Sequence, residues 1–267
     1  LEFVTEPYFT QASVDKEQGI IGQEIGMFDD DPDWQVYFNL LGALYQKHPL
    51  RIDIAGTVDT IAKIDAGLLY RCYDCFYNLN NMVLSIAGNF DPDTVLRLCD
   101  EILAPAAPVT VERARVEEPE EVGAHRVEVS MPVATTMFQV GFKGESVSEP
   151  ENFKNQIIDE LIAEIAAGEG SPLYRRLYDE GLINNTFGAE VMCGRDYMSI
   201  ILAGESRDPD AVYEAACREF DRLKAEGVPA ADFERCKKAL YGKYVGILII
   251  LFRLCRNPSH RSSSSSK

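Results

Sequence analysis

Histidine is scarce in this 267-residue sequence, with three residues in all, and tryptophan occurs once. His48, His125 and His260 lie far apart and none has a partner four residues away, which excludes a self-contained two-histidine metal motif on one helix. Basic residues are also few. The chain has 26 Lys and Arg against 43 Asp and Glu, a net charge of −17 and a pI near 4.6. A nucleic-acid backbone or an anionic membrane surface would repel it as a whole, so the expected partner is neutral, cationic or locally screened, and neither nucleic acid nor membrane is expected. Long apolar runs are missing too. The longest, Val245 to Leu254, contains Arg253 and is about half of the roughly 20 residues a membrane span needs. The seven cysteines do not follow secreted-scaffold spacing and no signal peptide opens the chain, so a reducing cytoplasm is the expected compartment. The first residues, Leu1-Glu2-Phe3, begin in mid-pattern, as expected of a piece of a longer or processed polypeptide.

What is present has a repeated grammar. Met82 to Gly88 reads as a buried strand, followed by Asp91-Pro92-Asp93, in which Asp91 caps a helix and Pro92 takes its first position. Ser199 to Gly204 and Asp208-Pro209-Asp210 repeat the pattern, with a helix to about Leu223. Arg126–Val129 and Thr136–Phe142 alternate as half-buried strands, and Asn152–Ala167 carries apolar residues at helical spacing. Phe233, Cys236, Leu240 and Tyr244 mark a last helix after Pro229. The expected fold is α+β, made of two similar units, each a mainly antiparallel sheet covered by helices. Residues 1–104 form the first unit, 105–125 an acidic, proline-containing linker, and 126–244 the second unit, incomplete. Residues 245–267 are an atypical apolar and serine tail, in which Ser262–Ser266 cannot pack a core.

Chemistry concentrates in Val14 to Phe28. On a helical wheel Glu24, Phe28, Ile21, Val14 and Ile20 all fall within about 60° of Glu17, which places both glutamates in an apolar stripe. Carboxylates there need a hydrogen-bonding or positive partner, either a metal or core arginines and backbone groups. Seven residues separate them, about 10 Å along the axis, so they flank a site without being co-ligands by spacing alone. Gly19, Gly22 and Gly26 line the opposite face, where close approach of another element is expected.

The blocks KEQGIIGQEIGMFDDDPDW, LYQKHPLRIDIAGT and YNLNNMVLSIAGNFDPD resemble the pitrilysin/insulinase family of zinc metallopeptidases, the inverzincins, in particular small bacterial members of the processing-peptidase type. The resemblance runs from Leu1 to about Tyr244. It implies that Glu24 is the third zinc ligand and Glu17 a supporting acidic residue of the catalytic site. It also implies a peptide substrate and a second homologous half or subunit. The family's H-x-x-E-H motif, which supplies two ligands and the general base, is absent from these residues. One carboxylate does not hold catalytic zinc, so the expectation is a fragment of a zinc metalloendopeptidase that lacks the N-terminal part of its first unit, does not bind Zn2+ stably alone and is inactive alone. The alternative is a non-catalytic partner subunit used for assembly or substrate capture.

Two further departures accompany this. Where the family carries an Arg and a Tyr that reach the site from the second unit, this sequence has Tyr178 and about Asn184, so that role is not transferred. Arg175 and Arg176 fit substrate carbonyls or, more simply, a helix-end surface. After Tyr244 the family continues with another helix, so a frame change or truncation is expected near Val245. Cys72-x-x-Cys75 reads as core packing in a helix rather than a redox or zinc pair, His48 as a helix-end cap, and Asp29–Asp33 as a solvated turn.

Overall fold

The computed structural model describes residues 1–112, 114, 116–144 and 149–255. The elements in chain order are α1 (Glu2–Thr5), α2 (Gln11–Asp29), α3 (Pro32–Leu44), α4 (Val58–Ile61), α5 (Ala66–Phe76), α6 (Pro92–Ile102), β1 (Met137–Lys143), α7 (Glu149–Ala167), α8 (Pro172–Asp179), β2 (Gly188–Cys193), β3 (Met198–Glu205), α9 (Pro209–Glu226) and α10 (Ala230–Cys255). Three helices start on the same device. Asp31, Asp91 and Asp208 each accept a hydrogen bond from a backbone N–H of the first turn, and a proline holds the first helical position of α3, α6 and α9. Proline lacks only a donor that has no acceptor there, and its fixed φ already suits the helix. The Asp29–Asp33 run is therefore a capped helix start rather than a plain solvated turn.

The chain divides into two compact units. The larger comprises residues 20–58 and 114–240 and holds a three-stranded sheet of order β1-β3-β2, antiparallel throughout, with Val140 opposite Leu202 and Val191 opposite Ile200. Phe138 and Leu202 turn to one face, where Ala166, Ala167, Leu173, Leu177, Val212 and Ala216 close over them from the helical layer, with Phe187 from the loop before β2. Leu41, Leu44 and Tyr45 form a second cluster with Tyr37, Phe38 and Met192 around them. A Cβ on Gly141 would stand 2.6 Å from Leu44 Cδ1, so the glycine in β1 is what admits α3 to that face. Both faces of β3 are thereby covered, which explains the near-continuous apolar run Ile200-Ile201-Leu202 in a central strand.

The smaller unit comprises residues 1–19, 59–113 and 241 onward, and it is built differently. Hydrogen bonds join its pieces: the Phe9 N–H donates to Tyr70 Oη (3.1 Å), Tyr73 Oη donates to the Val4 carbonyl (2.8 Å), and Gln18 Nε2 donates to the carbonyls of Ile61 and Ile64. Val14 is the one buried apolar side chain among its described residues. The strand expected at Met82–Gly88 is not formed: the segment has no strand partner among the described residues, and Val83 is 94% exposed. An apolar run specifies a strand only when a neighbouring strand takes up its N–H and C=O groups. Arg126–Val129 likewise forms no strand, and Val127 and Val129 are exposed. In contrast, α10 continues past the expected change at Tyr244 as far as Cys255, since no proline interrupts the apolar residues there. The serine run lies outside the described residues.

Candidate functional site

The helix α2 has one buried stripe. Val14 and Ile25 are buried, with Gln18, Ile21 and Phe28 half-buried between them. Glu17 and Glu24 are both exposed, so the placement of these carboxylates inside the stripe is corrected. The reason lies in Ile20: the wheel counted it as the far edge of an apolar face, whereas it is 41% exposed, and Met27 is 72% exposed. The true stripe is centred on Val14, Ile21 and Ile25, about 60° round the helix from Glu17. Neither glutamate takes part in an ion pair or hydrogen bond to a described residue, so core arginines and backbone groups do not hold them.

Gly19, Gly22 and Gly26 have no heavy atom within 4 Å of the position a Cβ would take, so no described element approaches that face closely. Each glycine then costs helix stability without a contact in return. Replacing Gly22 or Gly26 by alanine is expected to raise the stability of the chain by up to about 1 kcal/mol per site, read as a shift in the urea midpoint.

The end of α2 is fixed by aromatic stacking. Phe28 lies on Trp34 with ring centroids 4.1 Å apart and planes 12° apart, and Trp34 Nε1 donates to Asp53 Oδ2 at 2.7 Å. Cap, stack and indole hydrogen bond together set the direction in which the chain leaves Glu24.

A second polar centre, which the sequence did not disclose, lies in the larger unit. The Glu118 carboxylate accepts the backbone N–H groups of Gln46 (2.7 Å), Lys47 (2.8 Å) and His48 (2.7 Å) and receives Lys143 Nζ at 2.7 Å. Both side chains of the ion pair are 9% exposed. Burial alone would raise the Glu118 carboxyl; the hydrogen bonds from Lys143 and from the three N–H groups outweigh it and bring it down to about 2, against an ordinary value of 4.5. Beside it His48 caps the turn Pro49–Arg51 through Nδ1, which accepts from the Leu50 N–H, while Nε2 faces Asp196 at 3.3 Å. The capping role expected of His48 is met, and its ring is committed on both nitrogens. Tyr45 Oη and Ser199 Oγ stand 2.6 Å apart, and burial pushes the Tyr45 phenol up. Tyr45, Glu118, Lys143 and Asp196 line an open cavity of about 420 Å³ with Tyr197, Pro119, Glu120 and Gly144.

Arg175 and Arg176 are exposed on α8, as a helix surface requires. Asn184, in the place where a tyrosine was expected, donates from Nδ2 to Glu205 Oε2 (2.7 Å) and accepts from the Thr186 N–H (2.8 Å), so it ties a loop to the end of β3. Cys72 and Cys75 are exposed on α5, which corrects the core-packing reading. No group of three or more His, Cys, Asp or Glu among the described residues is placed to hold a metal ion. Glu24 alone does not meet the ligand number of a zinc site, so the described residues do not by themselves fit the metal.

The family model described as Peptidase M16 inactive domain matches residues 63–240. The chain belongs to the M16 peptidase family. Over 254 residues this M16 chain is 35% identical to the uncharacterized zinc protease YmfH of Bacillus subtilis, covering 93% of the chain and 59% of that protein. An M16-like peptidase structure from Alicyclobacillus acidocaldarius superposes with a TM-score of 0.89 at 33% identity, over 96% of this chain and 62% of the other. The periplasmic protease PqqL of Escherichia coli shares the fold at a TM-score of 0.65 and 18% identity, with 94% of this chain matching 28% of PqqL. The M16 chain thus spans about three-fifths of the first two relatives. The region matched by the family model starts after α2, so Glu17 and Glu24 lie outside it.

Proposed function

We propose that these residues are part of a zinc-dependent M16 metalloendopeptidase that hydrolyses peptides or unfolded segments, with Glu24 contributing one ligand to zinc and Glu17 an acidic support on the same helix. The observation that carries this reading is the state of the two carboxylates: exposed on α2, seven residues apart and engaged by no described residue. A carboxylate that no protein group engages can take a metal without first giving up a partner. The remaining ligands and the general base belong to an H-x-x-E-H segment outside these 267 residues, and a second homologous half or subunit completes the enclosure for the substrate. The names of the relatives as zinc proteases support the metal.

A non-catalytic partner subunit is the second reading, favoured by the inactive-domain description of the matched region. Zinc content and peptide hydrolysis of an upstream-extended chain, mixed with a homologous half and compared with Glu24→Gln, decide between the two. Stoichiometric zinc and hydrolysis, both lost in the variant, are expected. An extended chain without H-x-x-E-H that binds no zinc would sink the peptidase reading and leave the partner subunit.

A further inference from the structure

Two thiols one helical turn apart stand exposed on α5, outside anything the peptidase reading uses. Cys72 and Cys75 are both free and exposed, while Tyr70 and Tyr73 on the same helix hydrogen-bond to Phe9 and Val4. No other two cysteines in the sequence lie within four residues of each other, and of the remaining described ones Cys99, Cys193 and Cys217 are half-buried and Cys236 is buried.

Geometry sets the condition for joining the pair. Residues three apart on an α-helix have Cβ atoms about 5–6 Å apart, whereas a disulfide needs about 3.5–4.5 Å. The bridge therefore closes only if the turn gives way. Cys75 sits next to Phe76, the last residue of α5, in a turn closed by the Tyr77 N–H on the Tyr73 carbonyl at 2.8 Å. The helix has 11 residues, none of them buried. A helix that short holds little stability of its own in water, so opening its last turn costs little.

We propose that Cys72 and Cys75 form a reversible disulfide by exchange with small-molecule disulfides, and that closing it unwinds the last turn of α5. One cysteine thiolate attacks a sulfur of the small disulfide RSSR, breaking its S–S bond, forming a protein–SR mixed disulfide and releasing the first RS⁻. The second thiolate attacks the protein-bound sulfur, forms the Cys72–Cys75 bond and expels the other RS⁻. The two thiol protons end on the two RS⁻ groups, so the protein loses two electrons, which RSSR gains, leaving two RSH. This inference is independent of whether the chain serves a zinc peptidase or a partner subunit.

The test incubates the 267-residue chain in mixtures of oxidised and reduced glutathione, maps disulfides by mass spectrometry and follows hydrogen exchange over Tyr73–Tyr77. A Cys72–Cys75 bridge as the main product, reversed by reduced glutathione, is expected, with the Tyr77 amide exchanging about tenfold faster or more in the oxidised chain. Cys72→Ser and Cys75→Ser should each stop at the mixed disulfide; both positions are exposed, and unchanged circular dichroism would establish that these variants fold. Stable glutathione adducts on both cysteines of the unmodified chain, or a bridge with unchanged Tyr77 exchange, would overturn the proposal.

Discussion

Glu118→Ala is expected to destabilise the larger unit by about 3–5 kcal/mol, because it removes one partner from a pair of buried charges and leaves the other in place. Among the described residues, Lys143 keeps only the carbonyls of Pro119 and Glu121 as acceptors for its ammonium, and the N–H groups of Gln46, Lys47 and His48 lose the carboxylate that all three share. Replacing both members, Glu118→Leu with Lys143→Met, should cost less than the single change, since no unpaired charge remains. The pH dependence follows from the depressed carboxyl. Its folded-state value, about 2, lies below the ordinary 4.5, so its contribution is present above about 4.5 and is lost as pH falls toward 2. Urea melts of the parent and the variant at pH 7 and pH 3 check this. The gap between the two should narrow at pH 3, and an equal gap at both pH values would show that Glu118 does not act as an ionised anchor.

Hydrogen exchange should separate the two units by roughly three orders of magnitude, with β3 slow and the amides of α5 and α6 fast. The larger unit has two apolar clusters and a central strand in which Ile201 and Leu202 are fully buried. In the smaller unit α5 and α6 have 11 residues each and no buried side chain. Helices of that length are marginal without a packed face, so their amides should open locally without unfolding of the sheet. Native-state exchange in increasing urea measures both. Equal protection in β3 and α6 would contradict the inference that burial rather than hydrogen bonding sets the order of opening.

Local chemistry was the part of the fold that could be read from the residues. The caps at Asp91 and Asp208, the strand near Thr136–Phe142, the strand near Ser199–Gly204 and the helix ending at Ala167 all follow from patterns only a few residues long. Met82–Gly88 has the same apolar pattern as β3 but no strand partner among the described residues, because pairing depends on a neighbour that the run does not encode. The α2 glutamates were legible as candidates, yet their burial was misread: the wheel cannot say which side of an apolar arc meets the protein, and Ile20 drew the arc too wide. Glu118 was hidden for a different reason. Glu117, Glu118, Glu120 and Glu121 look alike in an acidic stretch, and only the fold chooses the one that meets Lys143 and three backbone donors. The spacing of Cys72 and Cys75 is plain in the sequence, but their exposure is set by which face of α5 carries Tyr70 and Tyr73.

The three Asp-Pro helix starts have a consequence for the covalent chain itself. An Asp-Pro peptide bond is the weakest link of a polypeptide in warm acid, since the aspartic side chain attacks its own carbonyl and the proline nitrogen leaves readily. In the folded chain the carboxylates of Asp31, Asp91 and Asp208 are occupied as acceptors from the first turns of their helices, which holds each attacking group away from the bond it would break. Scission in acid therefore reports the fraying of α3, α6 and α9. The order in which the three scissions occur would record which helix lets go of its cap first.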